Sequence, residues 1–258
     1  MKISLIQHTQ NAKELLIFSK NTRHLSRDVD FKEVLDMPER EKDEQIEYVF
    51  NTISSSWEFV NYTFLIQDVT RSYTHQLVRH RIGTSFAQQS LRVASADDFA
   101  YLIPDKIEED DFQLAIYNTT MGSIQEGYNL LLNKGADTQD ARGVLPTNIC
   151  TNILLGINLR ALALMMETRL CIRAQGEFQQ TALLMKDLVL DIHPWTSPVL
   201  WPGCIASSKC LFPRFTGCPL KNKYEHLHQA EESLKSKVAD DWKMLMEHNY
   251  SPQPVQSK

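Results

Sequence analysis

Between His75 and Arg92 the chain concentrates side chains that grip anions and bases: His75-Gln76-Leu77-Val78-Arg79-His80-Arg81, then Ile82-Gly83-Thr84-Ser85-Phe86-Ala87-Gln88-Gln89-Ser90-Leu91-Arg92. Three arginines, two histidines, two serines and three glutamines fall in this run, and the nearest acids in sequence are Asp97 and Asp98, just beyond it. Guanidinium forks match phosphate oxygens two at a time, while glutamine amides and serine hydroxyls suit a base edge or a ribose. This is a nucleotide-handling inventory. An Arg-His-Arg triplet by itself is usually a solvated basic loop, so its meaning depends on what accompanies it.

Composition narrows the classes of protein that could carry such a segment. With 258 residues and 43% hydrophobic side chains, the chain can bury one sizeable core, as one domain or two intimate ones. A formal net charge of -5 leaves no broad cationic surface to follow a polynucleotide, so positive sites must be local. Five cysteines, an odd number, do not read as a secreted disulfide framework, and a reducing cytoplasm is the expected setting. The opening MKISLIQHTQ has one lysine and an alternating pattern, unlike a signal or transit peptide. The most apolar stretch, residues 151–166, contains Asn152, Asn158 and Arg160, which a lipid-facing helix would not hold.

The elements that must position the polar segment follow from periodicity. Residues 1–7 alternate as a strand, 11–19 have helical spacing through Leu15, Leu16 and Phe18, and 31–50 give two peripheral helices split by Pro38. Aromatic and β-branched residues at 59–69 predict a strand leading into the polar segment, and 71–79 fits a helix or an extended chain. Residues 110–133 predict an amphipathic helix with Phe112, Ile116, Ile124 and Leu131 among its apolar positions, stopped by Lys134-Gly135. Another helix begins over 138–144, where Pro146 starts or interrupts it. A long apolar helix is expected over 153–170, and 174–192 carries a stripe of Phe178, Ala182, Met185, Val189 and Ile192. Five prolines break residues 193–219, and 224–248 predicts a polar helix ahead of a disordered end. The sum is an α+β protein, helix-dominated, with a small, mainly antiparallel sheet.

The triplet acquires meaning from its surroundings. Arg79-His80-Arg81, a spacer and then Ser90-Leu91-Arg92 resembles the signature of the flavin-dependent thymidylate synthases. Upstream, Ser55-Ser56-Trp57-Glu58 before the strand at Tyr62-Thr63-Phe64 resembles that family's hydroxyl-x-x-Glu segment. Downstream, Ala141-Arg142-Gly143-Val144-Leu145-Pro146 is similar to its Ala-Arg-x-x-Leu-Pro, and Asn158-Leu159-Arg160 to its Asn-x-Arg. Arg169, with Ala174-Gln175 and Glu177, resembles the residues that close its core. The likeness implies a catalytic domain of that family's fold over 1–194, leaving 195–258 as an irregular Cys- and Pro-containing segment with a helical tail. Independently, Asn158 and Arg169 stand eleven residues apart, near three helical turns, and share a face if the helix is unbroken.

The resemblance implies transfer of a one-carbon unit from methylene-tetrahydrofolate to C5 of dUMP with reduced FAD, giving dTMP. It further implies NADPH to reload the flavin and a homotetramer with active sites shared between subunits. Arg169 is then the catalytic residue that activates the base, and Gln76, Arg79, Gln88, Gln89, Ser90, Arg92 and Arg142 join it around the substrate. Ser55, Glu58, Arg79, His80, Arg81, Asn158 and Arg160 are the implied FAD-binding residues. A Gly-x-Gly-x-x-Gly turn is not required, because this family does not bind FAD through a dinucleotide-binding turn. Ser90 has no activating base beside it in sequence, so hydrogen bonding to substrate is its expected role. The spatial expectation is that Arg79, Arg142 and Arg169 meet around a monophosphate and its ring, within or between protomers.

Some positions depart from the family pattern. Ile53 and Phe59 stand where histidines are common, Gln88 where an acid is frequent, Val93 where a tyrosine is, and Leu164 at a polar position. The spacer from Arg81 to Ser90 is one residue longer, with Gly83 the place to absorb it. These changes leave open a 5-hydroxymethyl product from dUMP or dCMP, and a catalytically silent nucleotide- or RNA-binding homologue. Cys204, Cys210 and Cys218 with His193 lack Cys-x-x-Cys spacing, so no metal is expected there, and Cys150 and Cys171 read as core.

Overall fold

A computed structural model describes residues 1–24, 30–52, 54–94, 96–206, 210–223 and 232–249. The departure at Ile53, residues 224–231 of the helix expected over 224–248, and the expected disordered end from 250 onward lie outside the described residues. Four strands, β1 (Lys2–His8), β2 (Asn61–Thr70), β3 (Thr84–Gln88) and β4 (Cys150–Asn158), form one antiparallel sheet in the order β1-β2-β4-β3. The helices in chain order are α1 (Ala12–His24), α2 (Phe31–Leu35), α3 (Glu39–Phe50), α4 (Arg71–Leu77), α5 (Asp105–Glu108) and α6 (Asp111–Asn133). They continue as α7 (Thr138–Ala141), α8 (Leu159–Arg169), α9 (Gly176–Ile192), α10 (Gly203–Ala206), α11 (Pro219–Lys223) and α12 (Glu232–Asn249). Short 3-10 turns cover Ser54–Phe59, Arg142–Val144 and Pro194–Val199. The α+β expectation holds, with a small sheet that is antiparallel throughout.

Register decides which face of the sheet is dry. The cross-strand rows Ile3, Ile66, Ile153 and Leu5, Phe64, Leu155, Phe86, with Tyr62 opposite Ile157, share one face, and the β2 and β4 members are buried. The neighbouring row, Leu65 with Leu154 and Ala87, lies on the other face and leaves Leu154 and Ala87 exposed. On the dry side α9 buries Phe178, Ala182, Met185 and Val189, four members of the predicted stripe, with Ile192 only partly buried, and α8 adds Leu162, Met165 and Met166. Val238, Trp242 and Met246 of α12 enter the same core, and Trp242 Nε1 donates to the Leu170 carbonyl at 2.9 Å. Lys186, pushed down to about 8 by burial, lies with its ammonium 3.5 Å from the Trp201 ring centroid and 4.9 Å from that of Trp242.

Two expectations need correction. Residues 153–170 are not one helix: Cys150–Asn158 is the interior strand β4, and α8 begins only after it. An interior strand that is apolar on both faces reads like a buried helix, and burial at Thr151, Ile153, Leu155 and Ile157 shows the true period of two. Asn158 is therefore the cap of α8, its Oδ1 accepting from Ala161 N–H at 2.8 Å, and no common helix face joins it to Arg169. In α6 the apolar stripe does not enter the protomer's core. Phe112 and Ile116 are 76% and 53% exposed, while Met121 and Tyr128 are buried, Tyr128 in a separate small cluster with Ala96, Ala141 and Ile149.

Gly83 stands at φ +70°, a conformation that favours glycine. Its carbonyl accepts from Asn158 N–H at 3.0 Å, and a Cβ there would stand 2.5 Å from Asn158 Nδ2. Gly135, at φ +88°, ends α6 as predicted and faces open space. Gly135→Ala is thus expected to cost about 1 kcal/mol from backbone conformation alone. Gly83→Ala is expected to lower the thermal midpoint several degrees further, because the α8 cap must also move. Equal shifts in the two variants would contradict the close Gly83–Asn158 contact.

Candidate active site

The polar segment is anchored where β2 turns into α4. Thr70 caps α4, its Oγ1 accepting from Tyr73 N–H at 3.0 Å. Its own N–H and hydroxyl each donate to the Glu177 carboxylate at 2.6 Å. Burial raises Glu177 above the usual carboxylate range, and the two Thr70 hydrogen bonds pull the other way. Glu177 lies in the first turn of α9, where a negative charge also faces the positive helix end. The start of α4 and the start of α9 are thereby locked together.

Arg169, at the end of α8, is held from three sides. Its Nε donates to His80 Nε2 at 3.2 Å, its Nη1 donates to Gln76 Oε1 at 3.3 Å, and its Cζ lies 4.2 Å from the Phe178 ring centroid. Gln76 in turn donates to Gln175 Oε1. Burial, with the Arg169 charge adding to it, pushes His80 down to about 4, so the imidazole is neutral near pH 7 and free to accept. Accepting at Nε2 places the ring proton on Nδ1. Among the described residues no carboxylate forms an ion pair with Arg169. A half-buried cation is thus fixed in direction without being neutralised.

A second station forms at the other end of α4. Arg71 Nη2 donates to the Gln89 carbonyl at 2.9 Å, and its buried Nε has no partner among the described groups. Arg71 is lowered from its ordinary value by burial and then by the charge of Arg142, whose Nε donates to the Gln139 carbonyl at 3.1 Å. Ser90, Arg92, Val93, Asp137, Thr138 and Gln139 line a cavity of about 620 Å³. Gln89 and Gln139, which hold the two guanidiniums, are next to or within this lining. Gln88 is turned away toward α4, donating to Thr74 Oγ1 at 2.9 Å.

A third station carries the remaining expected residues. Glu58 and Arg160 form a half-exposed ion pair at 2.6 Å, joining the Ser54–Phe59 turn to α8. Ser55 is exposed there, while Ser56 Oγ and Trp57 Nε1 are buried without hydrogen-bond partners among the described residues. Arg79 and Arg81 are exposed on the turn after α4. The structure therefore groups Gln76 and His80 with Arg169, groups Gln89, Ser90 and Arg92 with Arg142, and pairs Glu58 with Arg160. Within one protomer it does not bring Arg142 to Arg169: the two have separate partners. Phe59, Val93 and Leu164, three of the departures from the family pattern, are 58%, 86% and 61% exposed.

Residues 4–195 match the family described as thymidylate synthase complementing protein. The chain belongs to this family, the flavin-dependent thymidylate synthases. A flavin-dependent thymidylate synthase of Geobacter sulfurreducens is 29% identical over 212 residues, spanning 80% of this chain and 89% of its own length. Those of Sulfolobus acidocaldarius and Nitratidesulfovibrio vulgaris are each 32% identical, over 214 and 206 residues, spanning 80% and 75% of this chain and 78% and 84% of their own.

Sequence reasoning missed Arg71, Phe178 as the ring under Arg169, and the anchoring role of Glu177. Arg71 had a readable signal, since a cation in the first turn of a helix opposes the helix dipole unless an anion is nearby. His193 meets Tyr62 Oη through Nδ1 at 3.0 Å. Burial, followed by the His8 charge, pushes it down to about 4. His80 and His193 both take up protons less readily folded than unfolded, so between about pH 4 and 6.5 they make stability rise with pH. Glu177 acts in the opposite sense, so the test is a difference between two proteins. The thermal midpoint is expected to fall less between pH 7 and about pH 4.5 in His80→Asn/His193→Asn than in the unaltered chain. Parallel curves would contradict the assignment.

Proposed function

We propose that the protein transfers a one-carbon unit from methylene-tetrahydrofolate to C5 of dUMP with reduced FAD, giving dTMP, and that NADPH reloads the flavin. The observation that carries this reading is Arg169, a half-buried guanidinium aimed by His80, Gln76 and Phe178 and paired with no carboxylate among the described residues. C5 of uracil is a weak nucleophile, and it becomes a better one as negative charge builds on the ring. A fixed, desolvated cation stabilises that charge. Arg169 is the catalytic residue in this scheme. His80 and Gln76 position it.

The paired guanidiniums of Arg71 and Arg142, with Ser90 and Arg92 at the cavity, are suited to the substrate's monophosphate. Gln89 and the exposed Arg79 complete the substrate side. The donor set also fits a flavin dinucleotide: the exposed Arg79 and Arg81 offer forks to a diphosphate. Ser56 Oγ and Trp57 Nε1 are buried without partners in the turn that also presents Ser55 and Glu58. With Asn158, Arg160 and the His80 edge, these residues would hold FAD, which when bound supplies the reducing equivalents. The homotetramer belongs to the proposal. Exposed Leu154 on the open sheet face and exposed Phe112 and Ile116 on α6 suit contact between subunits.

Arg169→Ala is expected to reduce turnover at least about a hundredfold while flavin absorbance and oligomeric state are retained. Product formation near the unaltered rate would remove Arg169 from its role. In the same assay Arg71→Gln should raise KM for dUMP about tenfold with little change in kcat, as loss of one charge-assisted phosphate contact requires. An unchanged KM would reduce Arg71 to a loop anchor.

A further inference from the structure

The chain continues well past residue 195, where the family match ends, and one side chain of that remainder reaches the end of α8. In α12, Val238, Trp242 and Met246 recur at helical spacing and are all buried in the main core. α12 packs against α10, and α10 packs against α8. Leu170, the fully buried C-cap of α8, follows Arg169 directly. Its carbonyl belongs to a helix end, where the last carbonyls have no intrahelical partner, and burial keeps water from serving it. Trp242 Nε1 donates to this carbonyl at 2.9 Å, while Gln179 Nε2 stands 3.4 Å away and is shared with the Cys171 carbonyl at 3.0 Å. Trp242 is therefore the principal donor. Its ring is fixed in turn: it meets Trp201 edge-on with centroids 5.5 Å apart, and the Lys186 ammonium of α9 lies against both rings.

We propose that Trp242 is a positioning residue for Arg169: by holding the Leu170 carbonyl it fixes the helix end from which the guanidinium is aimed, so that α12 is a working part of the site. The Arg169 bonds leave little tolerance. Its Nε and Nη1 reach His80 and Gln76 at 3.2 and 3.3 Å, near the long end of the hydrogen-bond range, so a further retreat of about 0.3 Å breaks both. Gln76 and His80 belong to α4 and the turn after it, and Phe178 belongs to α9, so none of the three follows α8 when its end shifts. A donor anchored outside α8 holds these parts in register, and Trp242 supplies it with Lys186 of α9 behind its ring. The indole N–H carries this role, and not the ring's volume alone. Phenylalanine would keep an apolar ring in the core and leave the carbonyl to the longer, shared Gln179 contact. The consequence for turnover rests on the one-carbon transfer proposed above, whereas the effect on the Arg169–His80 pair does not.

The test is Trp242→Phe in the full chain, read first by NMR titration of His80, whose resonance is identified by its loss in His80→Asn. Burial and the Arg169 charge push this imidazole down to about 4, so withdrawal of the guanidinium should raise it by about half a pH unit or more. Val238→Ala, which loosens the same helix but keeps the indole, should leave His80 where it is. With dUMP, kcat should fall about tenfold at unchanged KM, and Trp242→Phe should add no further loss to Arg169→Ala. An unmoved His80 in Trp242→Phe, or an equal move in Val238→Ala, would overturn the proposal whether or not dTMP is formed. Full additivity with Arg169→Ala would do the same. If Trp242→Phe does not fold, the reciprocal measurement decides. Arg169→Ala should shift the Trp242 indole N–H resonance and Arg142→Ala should not, and an indole that does not distinguish the two would refute the link.

Discussion

Arg169 is held by a neutral imidazole, an amide oxygen and an aromatic face, and none of these cancels its charge. Removing a cation from water costs free energy, and most half-buried arginines recover that cost from a carboxylate. Here the cost is offset by hydrogen bonds to uncharged acceptors and by the Phe178 ring, so the electrostatic potential stays available to a ligand. The arrangement requires His80 to remain neutral, and its burial beside the same guanidinium ensures that. Each partner thus helps fix the other's state.

The fold supplies this arrangement through one corner. Thr70 ends β2, caps α4 and donates twice to Glu177, so α4 and α9 cannot shift independently. Gln76 then leaves α4 toward Arg169, and Phe178 follows Glu177 by one residue to lie beneath it. Arg71, at the opposite end of α4, faces the loop of Gln89 and the neighbourhood of Arg142. The rise from Arg71 to Gln76 is about 7.5 Å, comparable to the span from a nucleotide's phosphate to its base. A seven-residue helix therefore acts as a ruler between the two ends of the proposed substrate.

Much of this was legible in the sequence, and the exceptions have physical causes. The α9 stripe, the strand before the signature and the glycine that ends α6 could be read because each follows a local rule of periodicity or backbone conformation. The strand β4 could not be separated from α8, because an interior strand needs apolar residues on both faces and loses its alternation. The α6 stripe was read correctly as apolar yet left exposed at Phe112 and Ile116, since amphipathicity does not reveal whether the same chain or another supplies the cover. Family motifs named Arg142 and Arg169 but not their separate partners. Arg71 gains its meaning only from residues distant in sequence, which no spacing encodes.

The central claim is that the uncompensated Arg169 charge serves carbon transfer to a uracil ring. Its most direct test is incubation of the purified chain with FAD, NADPH, methylene-tetrahydrofolate and either dUMP or dCMP, followed by mass measurement of the nucleotide products. The account predicts dTMP from dUMP and no product from dCMP. A hydroxymethyl nucleotide, or no new nucleotide from a flavin-loaded protein that NADPH reduces, would contradict it.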